Sequence, residues 1–262
     1  MVITYHKFFN TLNFERQIQY LIFKFDLENK EKWKAGEKKK LIITADDGDP
    51  SFYYKAFPVL KKYNIPAILF VVTDLINTNT PFWWDEIEYY LGKEEGNKKV
   101  WEVKTWPNKQ REIFLVNLRK NSDKPALKYP QLTTAHLKEM QDGGITIANH
   151  SHTHPMFDHC SPEELENEME RSTTILKELG FSPEVFAYPN GNFSFESEII
   201  LKKYGIKTAF LFDHKINSNI NPLRVSRLTV DDTTPFWKFK FIISGWHSRI
   251  LPITKAVAKM RK

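Results

Sequence analysis

With 262 residues, 41% of them hydrophobic and 27% charged, the chain has the composition of a globular protein large enough for one sizeable core. Its lone cysteine, Cys160, excludes an internal disulfide and reads as a small buried thiol. The formal net charge of +6 is spread over surface-like runs such as Glu37-Lys38-Lys39-Lys40 instead of one basic stripe, which argues against nucleic-acid binding.

The apolar pattern along the chain alternates strands with helices. Val2-Ile3-Thr4-Tyr5-His6 begins as a strand, and Phe14, Ile18, Leu21, Ile22 and Phe25 recur at helical spacing over 14–27. A charged loop over 28–40 precedes a buried strand over 41–45, which Gly48 breaks. A helix over 51–63 and a fully apolar strand over 67–72 complete a parallel strand–helix–strand unit with a right-handed crossover. The rhythm lapses at about 74–130, where a helix from Pro81-Phe82-Trp83-Trp84 to Leu91 and another over 110–120 read as an insertion without a core of its own. Then come a helix over 133–141 stopped by Gly143-Gly144, a strand over 145–148, and a capped helix starting at Ser161-Pro162-Glu163-Glu164. A strand over 185–188, a helix over 194–204 and strands over 207–212 and 223–230 close the series. Repeated βα units with their motifs at strand C-terminal ends predict an α/β barrel with its working face at that rim. The expected division is a barrel over 1–232, carrying the insertion, and a basic aromatic tail over 233–262.

The residues that can do chemistry gather in two of those strand ends. Asp46 and Asp47 are adjacent carboxylates, a pair that resists joint ionisation unless something cationic shares the site. Four of the chain's eight histidines fall in ten residues, at His150, His152, His154 and His159. Asp47, His150 and His154 would give a divalent metal three ligands with positions left open. Zn²⁺ suits that donor set, with Co²⁺, Ni²⁺ or Fe²⁺ as other occupants. Asp46 then remains as a general base, while Asn149 and Ser151 would orient the imidazoles.

Three segments in this order resemble the polysaccharide deacetylases, the NodB-homology carbohydrate esterases: Thr44-Ala45-Asp46-Asp47-Gly48, His150-Ser151-His152-Thr153-His154-Pro155 and Phe186-Ala187-Tyr188-Pro189-Asn190-Gly191. The similarity extends through Tyr5-His6, Trp83-Trp84-Asp85 and 132–144, from the start to about Val230. It implies a distorted (β/α) barrel and the metal-dependent removal of N-acetyl groups from an amino sugar or glycan intermediate of the cell envelope. By position it implies Asp46 as base, Asp47, His150 and His154 as ligands, and the Asn190 amide as an oxyanion donor. Tyr188 and Pro189 would line the groove, with Trp84 and Asp85 along its wall. Ala187 stands where many members carry an Arg that orients the catalytic Asp, and no Leu-x-His-Asp stretch supplies the usual general acid. A subgroup with a Phe-Ala-Tyr-Pro third motif has an Arg near the final strand instead. His6 is the expected acid, since barrel closure sets the first and last strands side by side; His214 is its rival.

Two other readings keep the fold: hydrolysis of a different C–N bond, in a formamide or cyclic amide, and a carbohydrate-binding module without turnover. Met1-Val2-Ile3-Thr4-Tyr5-His6 lacks the basic and long apolar stretches of an export signal, and no run approaches the roughly 18 apolar residues of a membrane span, so a cytoplasmic protein is expected. The run Pro235-Phe236-Trp237-Lys238-Phe239-Lys240-Phe241-Ile242-Ile243 is expected to dock on the barrel, with contact to a membrane surface as the alternative.

Overall fold

A computed structural model describes residues 1–27, 40–216 and 221–246. The charged loop predicted over 28–40 and the end of the tail, 247–262, therefore lie almost wholly outside the described residues. Seven strands, β1 (Val2–Tyr5), β2 (Ile42–Ala45), β3 (Ala67–Val71), β4 (Ile145–Asn149), β5 (Val185–Ala187), β6 (Thr208–Phe210) and β7 (Leu228–Thr229), form one parallel sheet. Their order is β6-β5-β4-β3-β2-β1-β7, so β7 lies beside β1 as barrel closure requires. Val225 also bridges Phe210 on β6, which draws the two edges of the sheet together into the distorted barrel. The strands are buried on both faces, and helices cover the outside, as a parallel sheet demands.

Between the strands run α1 (Thr11–Lys24), α2 (Phe57–Lys62), α6 (Thr134–Asp142), α7 (Pro162–Glu178) and α8 (Phe195–Lys203). The predicted helix over 51–63 starts as a π-helical turn, Phe52–Ala56, before α2. Pro58 explains the widening, because it has no N–H to donate and its ring would crowd the carbonyl four residues back. The capping box at the start of α7 is as expected: Ser161 accepts from the Glu164 amide, Glu164 accepts from the Ser161 amide, and Pro162 occupies the first turn.

The region after β3 holds three helices where the sequence suggested two: α3 (Trp83–Leu91), α4 (Lys93–Val103) and α5 (Asn108–Lys120). The additional helix, α4, begins in the run Lys93-Glu94-Glu95-Gly96-Asn97-Lys98-Lys99, a mostly charged stretch interrupted by a helix-weakening glycine. Gly96 is where α4 crosses α3, and a Cβ there would stand 2.5 Å from the Glu88 Cα. The insertion does have a small apolar cluster, correcting the expectation of none: Trp83, Ile87, Val100, Val103 and Leu115 pack together with Met156 of the barrel.

The tail begins as α9 (Phe236–Ile243). It docks on α1, with Phe239, Ile242 and Ile243 buried and Phe236 edge-on to Tyr20. That packing follows the docking expectation and lends the membrane-surface alternative no support. No helix among the described residues is long and apolar enough to cross a membrane.

Candidate active site

Register places the site. β1 ends at Tyr5 opposite Ala45, the last residue of β2, and β3 ends at Val71 opposite Asn149, the last of β4. The residues that follow, His6, Asp46-Asp47 and His150, therefore emerge on one rim of the barrel.

At the centre, the Asp47 Oδ1 lies 3.3 Å from His150 Nε2 and 3.4 Å from His154 Nε2. These three residues form a candidate metal site. The spacing is close to the edge of about 3.3 Å expected between ligands at roughly 2.0–2.1 Å around a tetrahedral ion. The donor chemistry also fits. The His150 Nδ1–H donates to the Ala187 carbonyl at 2.8 Å, which leaves Nε2 as the lone-pair nitrogen facing Asp47. Burial pushes His154 down to about 4, so its ring is neutral near pH 7. Burial raises the Asp47 carboxyl, but the two imidazoles set against its Oδ1 outweigh that and hold it well below the usual carboxylate range.

The loops that present these ligands are held from beneath. Asn149 Nδ2 donates to Ser172, Asn149 Oδ1 accepts from the Ser151 amide, and Ser151 Oγ accepts from the His154 amide. Asn149 and Ser151 thus shape the backbone of the loop, not the imidazole rings as expected. The Glu168 carboxylate accepts from the amides of His152 and Thr153 and from the Thr153 hydroxyl. His152 turns away from the cluster toward Thr73 at 2.9 Å and Asp74 at 3.3 Å. From the insertion, Trp83 Nε1 and Arg111 Nη1 both donate to the His154 carbonyl.

Asp46 sits beside this cluster with 2% of its surface exposed, and its partner is an arginine near the final strand, which the resemblance implied without fixing the residue. Arg227, wholly buried, donates to both Asp46 oxygens at 2.6 and 2.7 Å. Its remaining hydrogen bonds go to the Leu211 carbonyl and the hydroxyls of Thr4 and Thr44. Burial would raise the Asp46 carboxyl, but the Arg227 charge, with smaller help from His150 and His6, brings it below its ordinary value. The planar fork of a guanidinium matches a carboxylate bidentately, so Arg227 fixes the orientation of Asp46 as well as its charge.

His6 stands on the rim with its Nε2 3.7 Å from Asp46 Oδ2 and its ring edge-on to Phe212. It shares a cavity of about 450 Å³ with Asp46, Asp47, His150, His154 and Asn190. Trp84 also lines this cavity and packs against the His154 ring. The other groove residues expected from the sequence lie elsewhere. Tyr188 is fully buried among Phe157, Phe186 and Phe193, and Pro189 is buried beside it. A strand-end aromatic flanked by apolar residues is drawn inward, so neither forms the groove. Asp85 pairs with Lys7 at 2.7 Å, and His214 packs on Phe212 outside the cavity lining.

The family described as polysaccharide deacetylase matches residues 34–209. A poly-β-1,6-N-acetyl-D-glucosamine N-deacetylase of Staphylococcus aureus is 26% identical over 229 residues, which is 87% of this chain and 65% of that protein. The chain thus spans a little less than two thirds of that relative's length. Among solved structures, the Streptococcus pyogenes deacetylase PplD, in complex with acetate, superposes with a TM-score of 0.64 at 19% identity, covering 93% of this chain and 96% of that one. IcaB from Ammonifex degensii gives 0.62 at 23% identity, covering 92% and 94%. Both share the barrel fold. With its family match spanning most of the barrel, from before β2 into β6, the chain belongs to the polysaccharide deacetylase family.

Proposed function

We propose that the protein is a metal-dependent hydrolase that removes an N-acetyl group from an amino sugar within a glycan. The observation that carries this reading is the convergence of Asp47, His150 and His154 in a 450 Å³ cleft, with Asp46 beside them, paired with Arg227 and close to His6. A divalent ion held by those three residues, Zn²⁺ in our assignment, supplies Lewis-acid polarisation of the substrate carbonyl and of water.

The chain's own groups divide the remaining work. Asp46, kept ionised and oriented by Arg227, takes the proton of the attacking water. The backbone amide of Asn190 donates to the oxygen that becomes negative as the carbonyl turns tetrahedral, a contribution of about 3 kcal/mol for a well-placed donor. His6, which lines the same cleft, gives a proton to the departing sugar amine, so that acetate and a free amine result.

The Staphylococcus aureus relative is named for a β-1,6-linked N-acetylglucosamine polymer, which supports an N-acetylated hexosamine glycan as the substrate class here. The test is acetate release from N-acetylglucosamine oligomers by the Zn²⁺-loaded protein. Formate release from N-formylated sugars in place of acetate would move the reading to another C–N bond. Oligomer binding without turnover under any divalent metal would reduce the protein to a binding module.

A further inference from the structure

One wall of the cleft comes from an element outside the family motifs. On α4, Asn97, Val100 and Trp101 lie at helical positions i, i+3 and i+4, with Lys104 at i+7 capping the helix, and all four line the cavity that holds the metal-ligand cluster. Such a stripe is one face of a helix. Of these four residues only Val100 is buried, so the stripe is not a packing face turned into the core.

Trp101 is 63% exposed, an unusual state for the largest apolar side chain on a helix that has a cluster of its own. Lys104 Nζ lies 4.7 Å from its ring centroid and donates to Asn190 Oδ1 at 3.0 Å. Burial lowers the Lys104 ammonium below its ordinary value against the weaker, opposing pull of the Asp47 carboxylate. The opposite end of the platform is fixed by the close α3–α4 crossing at Gly96 and by Asn97 Nδ2, which donates weakly to Glu88 at 3.4 Å. An indole facing an open cleft, flanked by an amide and an ammonium, matches a pyranose: an apolar ring face edged by hydroxyls.

The geometry points to α4 as a glycan subsite in which Trp101 stacks on the sugar next to the one being deacylated, while Asn97 and Lys104 bond its hydroxyls. The inference rests on the proposed sugar N-deacetylation and narrows it: the substrate is an oligomer, and the insertion sets the preference for chain length. Lys104 also ties the subsite to the Asn190 loop, so an occupied subsite and a well-placed carbonyl share one wall.

The experiment compares the wild type with Trp101→Ala and Trp101→Phe. The probes are N-acetylglucosamine and its β-1,4- and β-1,6-linked tetramers, with acetate release measured as kcat and KM and binding measured by calorimetry. The wild type is expected to favour at least one tetramer over the monosaccharide. Trp101→Ala should cut that preference in kcat/KM about tenfold, chiefly through KM, and Trp101→Phe should restore most of it. A preference unchanged by Trp101→Ala, or a wild type that treats tetramers and monosaccharide alike, overturns the subsite. If no acetate is released from any sugar, the deacetylase reading fails by itself. The calorimetric preference for a tetramer, and its loss in Trp101→Ala, then still decides the subsite.

Discussion

Replacing Arg227 by Met removes five hydrogen bonds at a stroke: two to Asp46, one to the Leu211 carbonyl and one each to Thr4 and Thr44. Methionine fills part of the volume but leaves the Asp46 carboxylate buried without its charge partner. Breaking a buried pair by deleting one member costs about 3–5 kcal/mol, because the other charge is stranded. The cost appears as a rise of the folded Asp46 carboxyl, because burial is no longer opposed by the Arg227 charge. The sign follows from the two states. In the wild type the folded carboxyl lies below its ordinary value, so Asp46 contributes stability above the unfolded carboxyl pKa of about 3.9 and loses it as pH falls through the folded value. In Arg227→Met burial is nearly unopposed and the folded carboxyl lies above that of the unfolded chain. Asp46 then costs stability as pH rises through its new value. Urea unfolding of both proteins in chelator, from about pH 3 to pH 8, should therefore give curves whose separation widens from acid to neutrality by about 3–5 kcal/mol. Arg227→Lys, which keeps the charge and loses the fork, should fall between them. Two curves displaced by the same amount at every pH would refute the argument, because the loss would then be packing alone.

Asp47→Ala or His150→Ala should abolish stoichiometric Zn²⁺ uptake in metal analysis of the purified protein, and one ion per chain in either variant would dismiss the ligand set. Chelation should likewise end acetate release, and added Zn²⁺ should restore it. His6→Ala should lower kcat by about 10² with metal content unaltered; near-normal turnover would remove His6 as the acid. Gly96→Ala places a methyl 2.5 Å from the Glu88 Cα and should cost about 1–3 kcal/mol in urea unfolding, whereas an unperturbed midpoint would mean that the helices part without effort.

The barrel was legible because a parallel sheet buried on both faces writes itself as apolar runs, and because the carboxylates and imidazoles stand directly after those runs. Asp47, His150 and His154 could be picked out by residue type and by their place at strand ends. Arg227 was harder to see. Its run Arg224-Val225-Ser226-Arg227-Leu228 has the look of an exposed edge strand, and only closure of the sheet turns Arg227 inward between Phe70 and Phe210. Tyr188 was misplaced for the converse reason: a position one residue past a strand can face the cleft or the core, and neighbouring phenylalanines decided for the core. The α4 helix was hidden by its own composition, since charged residues and a glycine mask a helix whose stability comes from packing on α3.

The backbone at the ligand loops carries one further consequence. Asp47, Ser151, His154 and Asn190 all adopt left-handed φ values, between +56° and +71°, which side chains other than glycine or asparagine seldom tolerate. Each such residue stores about 1 kcal/mol or more of conformational tension, and around Ser151 and His154 a web of bonds running down to Ser172 and Glu168 restrains it. Any programme to harden the protein against heat would find its easiest gains by relaxing these turns with glycine. Relief at Asp47 or His154 would take a donor atom with it, so the grip on the ion would be the first property surrendered.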